Sequence, residues 1–385
     1  MKIILVFIFS LSQLGYSQCL PEISILTCSP GDKVYSVFGH SAIRITNKER
    51  SIDYVYNFGM FDFDTPNFTL KFVKGKLSYY LGIQNTANFI QLYTNENRLV
   101  LEQKLNLTKE EKSKIITNLN YLYQPENRYY LYSFLEKNCS TEIRDLLSEA
   151  GTNFSNQEIE ESNRELINSH LKRNLWLRFG TNLMLGKSLD KKSDNYQRMF
   201  LPFYLKEEIA NSYINGKPLV KSEQVLNSIE NNKKNDLVNW FSPLLIFSLL
   251  LLIFLLWSPK PVELIICLLT GGIGLVLSLM WLFSEHPEVK NNLNVIWCNP
   301  LYLIYIPLVI KNRSHIILAS ALFITLISTI FIWIFNVQSF DIAVIPILII
   351  LGIINFKQLN RIGFSNLHKL PYKMIINFLI PSPSS

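Results

Sequence analysis

Residues 137–147 read KNCSTEIRDLL, and a lone cysteine, Cys139, stands where a loop turns into a helix. Ser140 or Thr141 is placed to cap that helix, Ile143, Leu146 and Leu147 form its apolar stripe, and Gly151 ends it. A thiol in this position can be a small core residue, half of a disulfide, or a nucleophile. The attacking species is the thiolate, and a helix N-terminus and a neighbouring imidazole both lower a thiol's pKa. Local sequence supplies the first condition. For the second, the chain ahead of residue 238 holds two histidines, His40 and His170. His170 sits in the polar INSHLKRN and reads as a solvated helix residue, whereas His40 lies between Gly39 and Ser41 at the start of a strand. Asn57, on the next strand, is the candidate to orient the imidazole, with Asp62 in reserve. Arg44, on the same strand face as His40, could hold a substrate carboxylate or phosphate, and an ion pair with Asp62 or Glu142 is the competing reading. Arg44, Asp62 and Arg128 make up the candidate substrate-binding set, and Arg98 is a further cation of the same kind.

The elements that must position these groups follow from periodicity. VYSVFGHSAIRIT (34–46) alternates as a strand, with Ala42 and Arg44 on the face of His40 and Ile43 and Ile45 on the other. DYVYNFGMFDF (53–63) is a second strand after the polar connection NKERS. FTLKFVKGKLSYYLGI and RLVLEQKLNL suggest further strands, with the amphipathic helix NTANFIQLYTNEN between them. Thr108-Lys109-Glu110-Glu111 is a capping box that opens a helix to about Tyr123, and QPENR stops it. An aromatic run, Tyr129–Leu135, leads into Asn138-Cys139. The pattern is α+β, with an antiparallel sheet and a few helices over 18–150. Residues 151–237 read as a mostly helical extension without a catalytic constellation, in which Trp176 and the stretch from Met199 to Tyr204 are packing residues.

The 385 residues are not uniform in composition. Residues 1–17 have the Lys2, apolar core and small-x-small ending of a secretory signal. Five apolar spans follow residue 237: Val238–Trp257, Val262–Phe283, Leu293–Ile310, Ile316–Phe335 and Ile342–Phe356. Residues 357–385 form a tail. With the N-terminal domain outside, the inner loops carry Lys260, then Lys311 and Arg313, then Lys357, Arg361, Lys369 and Lys373, in keeping with the positive-inside rule. This topology suits a bacterial inner-membrane protein with its folded domain in the periplasm and its C-terminus in the cytoplasm. The formal charge of +7 is largely explained by those cytoplasmic ends, and no basic–aromatic pattern argues for nucleic acid.

Three cysteines belong to the exported domain: Cys19, Cys28 and Cys139. An oxidising compartment favours pairing; Cys19 with Cys28 is the natural local pair, and a bridge from Cys28 to Cys139 would end the nucleophile reading. No cysteine–histidine cluster with metal spacing occurs in the sequence, and no cofactor is expected. The outer loop SEHPEVKNNLNVIWCNP is the most polar stretch of the membrane half; headgroup-level anchoring with Trp297 and a share in a site at the membrane face are its two readings. No ionisable residue sits convincingly mid-bilayer, which counts against a proton-driven pump.

A histidine first, a polar residue on the next strand, then Asn-Cys opening a helix resembles the circularly permuted papain-like fold of lecithin:retinol-acyltransferase-type enzymes and bacterial cell-wall amidase relatives. More closely, SPGDKVYSVFGHSAIRI, YVYNFGMFDF, FVKGKLSYYL, PENRYYLYSFLEKNCSTEIRDLL and QRMFLPFYL resemble the bacterial Lnb N-terminal periplasmic domain family, over roughly residues 23–211. That resemblance implies Cys139 as nucleophile, His40 as general base and then acid, Asn57 as its orienter, and an amide at the start of the helix for the oxyanion. The expected activity is that of a membrane-anchored periplasmic cysteine hydrolase or acyltransferase acting on a lipid, lipoprotein or cell-wall substrate. The rival is a non-catalytic periplasmic domain on a membrane scaffold. Oligomeric state is not legible in the sequence.

Overall fold

The computed structural model describes residues 21–229, 241–257, 260–311, 313 and 315–367, with side chains to residue 360. The signal segment, Cys19 and the basic tail residues Lys369 and Lys373 lie outside the described residues.

The N-terminal half is built on one seven-stranded sheet. In chain order the first elements are β1 (Glu22–Cys28), β2 (His40–Asn47), β3 (Ile52–Met60), α1 (Phe68–Val73), β4 (Ser78–Asn85), α2 (Thr86–Asn95) and β5 (Val100–Leu105). They are followed by α3 (Lys109–Tyr123), β6 (Tyr129–Leu131), α4 (Cys139–Ala150), β7 (Thr152–Asn153), β8 (Glu158–Ser162), α5 (Asn163–His170) and α6 (Leu175–Met184). The half closes with β9 (Lys192–Asp194), α7 (Pro202–Asn211), β10 (Tyr213–Ile214), β11 (Lys217–Pro218) and β12 (Val220–Val225). Across the main sheet the order is β12-β5-β1-β2-β3-β4-β6, and neighbouring strands run antiparallel.

Period-two alternation explains how helices cover both faces. Ile23, Ile25, Ile43, Ile45, Phe58 and Leu81 meet Ile115 and Leu119 of α3, Ile143, Leu146 and Leu147 of α4, and Leu205 and Ile209 of α7. Leu26, Cys28, Ala42, Val55 and Val100 face the other way, onto Phe89 and Tyr93 of α2.

Of the alternating stretch 34–46 only the part from His40 is strand, entered through Gly39: Val34–Ser36 is a single 3-10 turn, and Gly39 has φ +87°, where an added Cβ would stand 2.7 Å from the Cys28 carbonyl. FTLKFV is α1, not a strand, since its short apolar run carries no decisive period and the Lys71 and Lys74 amides close helical turns on Asn67 and Leu70. The extension after residue 150 is not only helical. Its β12 is an edge strand of the main sheet and α7 belongs to the same core as α4. His170 also differs from expectation: it is half-buried, with Phe38, Phe203 and Tyr204 around its ring.

The C-terminal half contains α8 (Pro243–Leu256), α9 (Lys260–Phe283), α10 (Asn294–Trp297), α11 (Leu301–Ile310), α12 (Ile316–Ile334) and α13 (Val344–Leu367). By length and composition α9 and α12 can each cross a membrane. The expected span at 293–310 is broken into α10 and α11, because Pro300 follows Cys298 and Asn299. Gly274 permits the closest approach within this half, for a Cβ there would fall 1.6 Å from the Cys298 carbonyl oxygen of the neighbouring segment.

The polar loop after α9 is a docking element between the two halves. The Ser284 hydroxyl, the Glu285 amide and His286 Nε2 donate to the carbonyls of Val73, Lys74 and Phe72. Asn292 donates to the carbonyls of Leu183 and Met184, and Asn294 to that of Asn182, while Trp297 is buried with its indole on Asn294. Buried Arg164 holds Asp190 in a two-pronged ion pair, and Asp190 also accepts the Ser339 amide from the loop before α13. Trp176 donates its indole N–H to the Phe241 carbonyl and meets Phe247 of α8, a packing role.

Candidate active site

The cap of α4 is Asn138, two residues ahead of Ser140 and three ahead of Thr141, the expected caps. Its Oδ1 accepts the amides of Ser140 at 2.7 Å and Thr141 at 3.0 Å, and Thr141 Oγ1 accepts the Asn138 amide at 2.8 Å. The carboxamide Nδ2 donates to Phe134 O and Phe200 O, so every polar group of this buried side chain is engaged. Cys139 is thereby fixed as the first residue of the helix, where the backbone dipole favours a negative charge. Behind it, the buried hydroxyls of Ser41 on β2 and Ser140 on α4 lie 3.2 Å apart and join the histidine strand to the cysteine helix.

His40 lies at the end of the β1–β2 ladder, opposite Cys28. Its ring is nearly parallel to that of Tyr93, at 12° and 6.2 Å between centroids. His40 Nε2 donates to Asn57 Oδ1 at 2.7 Å, the polarity required by a carbonyl acceptor, and its ring lies near enough to the Cys139 thiol for each to shift the other's pKa. The structure therefore brings Cys139, His40 and Asn57 together. A bulge between Asn57 and Met60 brings Gly59, at φ +85°, near Cys139, and a Cβ built at Gly59 would lie 4.0 Å from the Cys139 Cβ.

The electrostatics of the pair are reciprocal. Burial alone would push the Cys139 thiol up. The charge of the His40 imidazolium, its hydrogen bond, the Ser41 amide and the Ser140 hydroxyl outweigh that and hold it below the ordinary thiol range. Burial would lower His40, yet the Cys139 thiolate and the bonds to Cys139 and Asn57 raise it, against a small opposing effect of Arg98. The two shifts run toward each other, the thiol downward and the imidazole upward. Tyr132, whose hydroxyl burial keeps neutral, lies within the fields of both Cys139 and Glu288.

Cys28 and Cys139 are both free thiols, so the bridge between them is not formed; the other candidate partner, Cys19, lies outside the described residues. Cys28 is sealed in the core and burial pushes its thiol far up.

The substrate-binding candidates are spent elsewhere. Arg44 pairs with Asp53 at 2.8 Å and Glu102 at 3.0 Å, not with Asp62 or Glu142. Asp62 is exposed in a turn and accepts the Asp64 amide. Arg128 lies over the rings of Tyr80, Tyr123 and Tyr129, at 5.0–5.5 Å. Among the described residues, no hydrogen bond or ion pair joins any of the three to Cys139, His40 or Asn57, and no group of three His, Cys, Asp or Glu could hold a metal ion.

Sequence reasoning missed Glu288. Its buried carboxylate accepts the Ser133 hydroxyl at 2.7 Å and the Leu135 amide at 2.9 Å, and so a residue of the membrane half shapes the loop that ends in Asn138. No local signal in the outer loop marks it. The Ser41–Ser140 contact was equally invisible, because it depends on how a strand and a distant helix cross.

Two family matches agree with this division of the chain. Residues 20–173 match the Lnb N-terminal periplasmic domain, and residues 232–361 match the Lnb transmembrane domain. The chain belongs to the Lnb family. It is an integral membrane protein in which a sheet-rich periplasmic domain precedes a helical membrane domain. No curated protein and no solved structure matches it.

Proposed function

We propose that this Lnb protein is a cysteine hydrolase or acyltransferase on a permuted papain-like core, acting on an amide or ester bond of a lipid, lipoprotein or cell-wall substrate. What supports the reading is the imidazole of His40, bonded to Asn57 at 2.7 Å and set beside a thiol held below its ordinary pKa. The Cys139 thiolate attacks the substrate carbonyl carbon, and the carbonyl π pair moves to oxygen. The Ser140 and Thr141 amides are committed to Asn138, which assigns the oxyanion to the Cys139 N–H. Collapse breaks the bond to the leaving alcohol or amine, which takes a proton from His40 and leaves a thioester. Water or an amine, deprotonated by His40, then attacks the thioester and expels the thiolate. Asn57 holds the ring through both transfers, which makes it a positioning residue.

The helical domain is read as five spans with the C-terminus in the cytoplasm. The loops around residues 284–293 and 336–343 meet the periplasmic domain, whereas Lys260, Lys311 and Lys357 fall toward the other ends of their helices.

Intact-mass spectrometry of the full chain after incubation in bacterial lipid bilayers tests the chemistry. An adduct on Cys139 that neutral hydroxylamine removes is expected, and it is absent from Cys139→Ser. A wild-type chain that never carries a hydroxylamine-labile adduct favours the scaffold reading.

A further inference from the structure

α1 has no buried residue on either face, although four of its six residues, Phe68, Leu70, Phe72 and Val73, are apolar. Leu70 and Phe72 are 53% and 45% exposed, and Phe63 just before the helix is 66% exposed. Phe61, Phe63 and Phe68 cluster with ring centroids 4.8–5.7 Å apart, so the apolar surface is continuous rather than scattered. A six-residue helix with this surface gains nothing from the protein core and would be a liability in water.

Its location says what covers it. The carbonyls of Phe72, Val73 and Lys74, at the end of α1, are bonded by His286, Ser284 and Glu285. Those three residues directly follow the last turn of α9, a helix long and apolar enough to cross a membrane, whose final residues Leu282 and Phe283 are themselves exposed. The apolar surface of α1 is thus continuous with the end of the membrane domain, at the depth where a bilayer's hydrocarbon gives way to headgroups. Lys71, Lys74 and Lys76 accompany the aromatic residues, and Lys74 and Lys76 are exposed. Aromatic rings with lysines on flexible stems are the side chains that settle at an anionic lipid interface.

We infer that residues 61–76 form an interfacial foot, with Phe63, Leu70 and Phe72 seated in the outer leaflet of the bilayer and the lysines among its headgroups. This gives the periplasmic domain a lipid contact of its own, in addition to the protein contacts made by the loop after α9. The inference is independent of the chemistry at Cys139.

Nitroxide accessibility in the full chain tests it. Single labels at Phe63→Cys and Leu70→Cys, in a Cys19→Ser, Cys139→Ser background whose remaining thiols are buried, are compared with Tyr121→Cys on exposed α3. The bilayer is phosphatidylethanolamine with a minority of phosphatidylglycerol. Collision with oxygen severalfold greater than collision with a water-soluble nickel chelate is expected at 63 and 70, and the reverse at 121. An aqueous profile at 63 and 70 like that at 121 overturns the inference. So does shielding from both reagents, which would mean that a protein surface covers the foot. Because Cys139 is replaced throughout, neither result depends on whether the chain is an enzyme.

Discussion

Two thiols lie close to the same imidazole and have opposite fates. Cys28, in the middle of the sheet, is the direct cross-strand partner of His40, yet burial drives its thiol up and Arg98 and the Tyr93 hydroxyl only partly offset that. Cys139 comes from a helix far along the chain and is held down. Proximity to a histidine therefore does not make a nucleophile. What separates the two is the first turn of α4, the Ser41 amide, the Ser140 hydroxyl and an imidazole whose charge lowers the Cys139 thiol. The Asn138 cap and the Ser41–Ser140 contact are what keep that geometry.

The comparison can be broken at several points. His40→Ala should have the largest effect: alkylation of Cys139 at mildly acidic pH, followed by peptide mass spectrometry, is expected to slow by about tenfold or more, because an ordinary thiol is scarcely ionised there. Equal rates would remove the base. Asn138→Ala takes away the cap and strands the amides of Ser140 and Thr141, so chemical denaturation should show a loss of about 2 kcal/mol. A variant of unchanged stability would mean that the cap does not hold α4. Glu288→Ala leaves the Ser133 hydroxyl and Leu135 amide without their acceptor and should cost about 1–3 kcal/mol, with Cys139 alkylating more slowly. Alkylation unaltered by this change would separate the membrane half from the site. Asn57→Ala is expected to slow the reaction only severalfold, since the ring keeps its bond to the thiol. Cys28→Ala should leave the alkylation of Cys139 as it is. If it slows the reaction, the two thiols are coupled.

Much of the site was legible because its signals are local. Asn-Cys before an amphipathic stripe and the Gly-His at a strand start mark the two residues of the candidate site, and alternation along 40–47 places Ile43 and Ile45 away from the histidine. The cap was missed by two residues or more because Asn, Ser and Thr all cap, and only the backbone shows which of them turns out of the helix. The arginines failed for a different reason. Arg44 has opposite charges across the strands, Asp53 and Glu102, that only the register discloses. α1 was read as a strand since a six-residue apolar run has no decisive period. The roles of Glu288 and of the asparagines after α9 are tertiary through and through. The loop is polar in either reading, and only the fold shows which groups of the periplasmic domain it meets.

The pH dependence of Cys139 alkylation in the intact protein tests the central claim most directly. The Cys139 pKa is depressed and the His40 pKa is raised, and the proposed mechanism requires the first to lie below the second, with a thiolate–imidazolium pair between the two values. The alkylation rate should therefore stay high well below the ordinary thiol range, fall only when the pH drops through the depressed Cys139 value, and change again as the pH rises through that of His40. A rate that simply follows the titration of an unperturbed thiol, with the same profile in His40→Ala, would contradict the account.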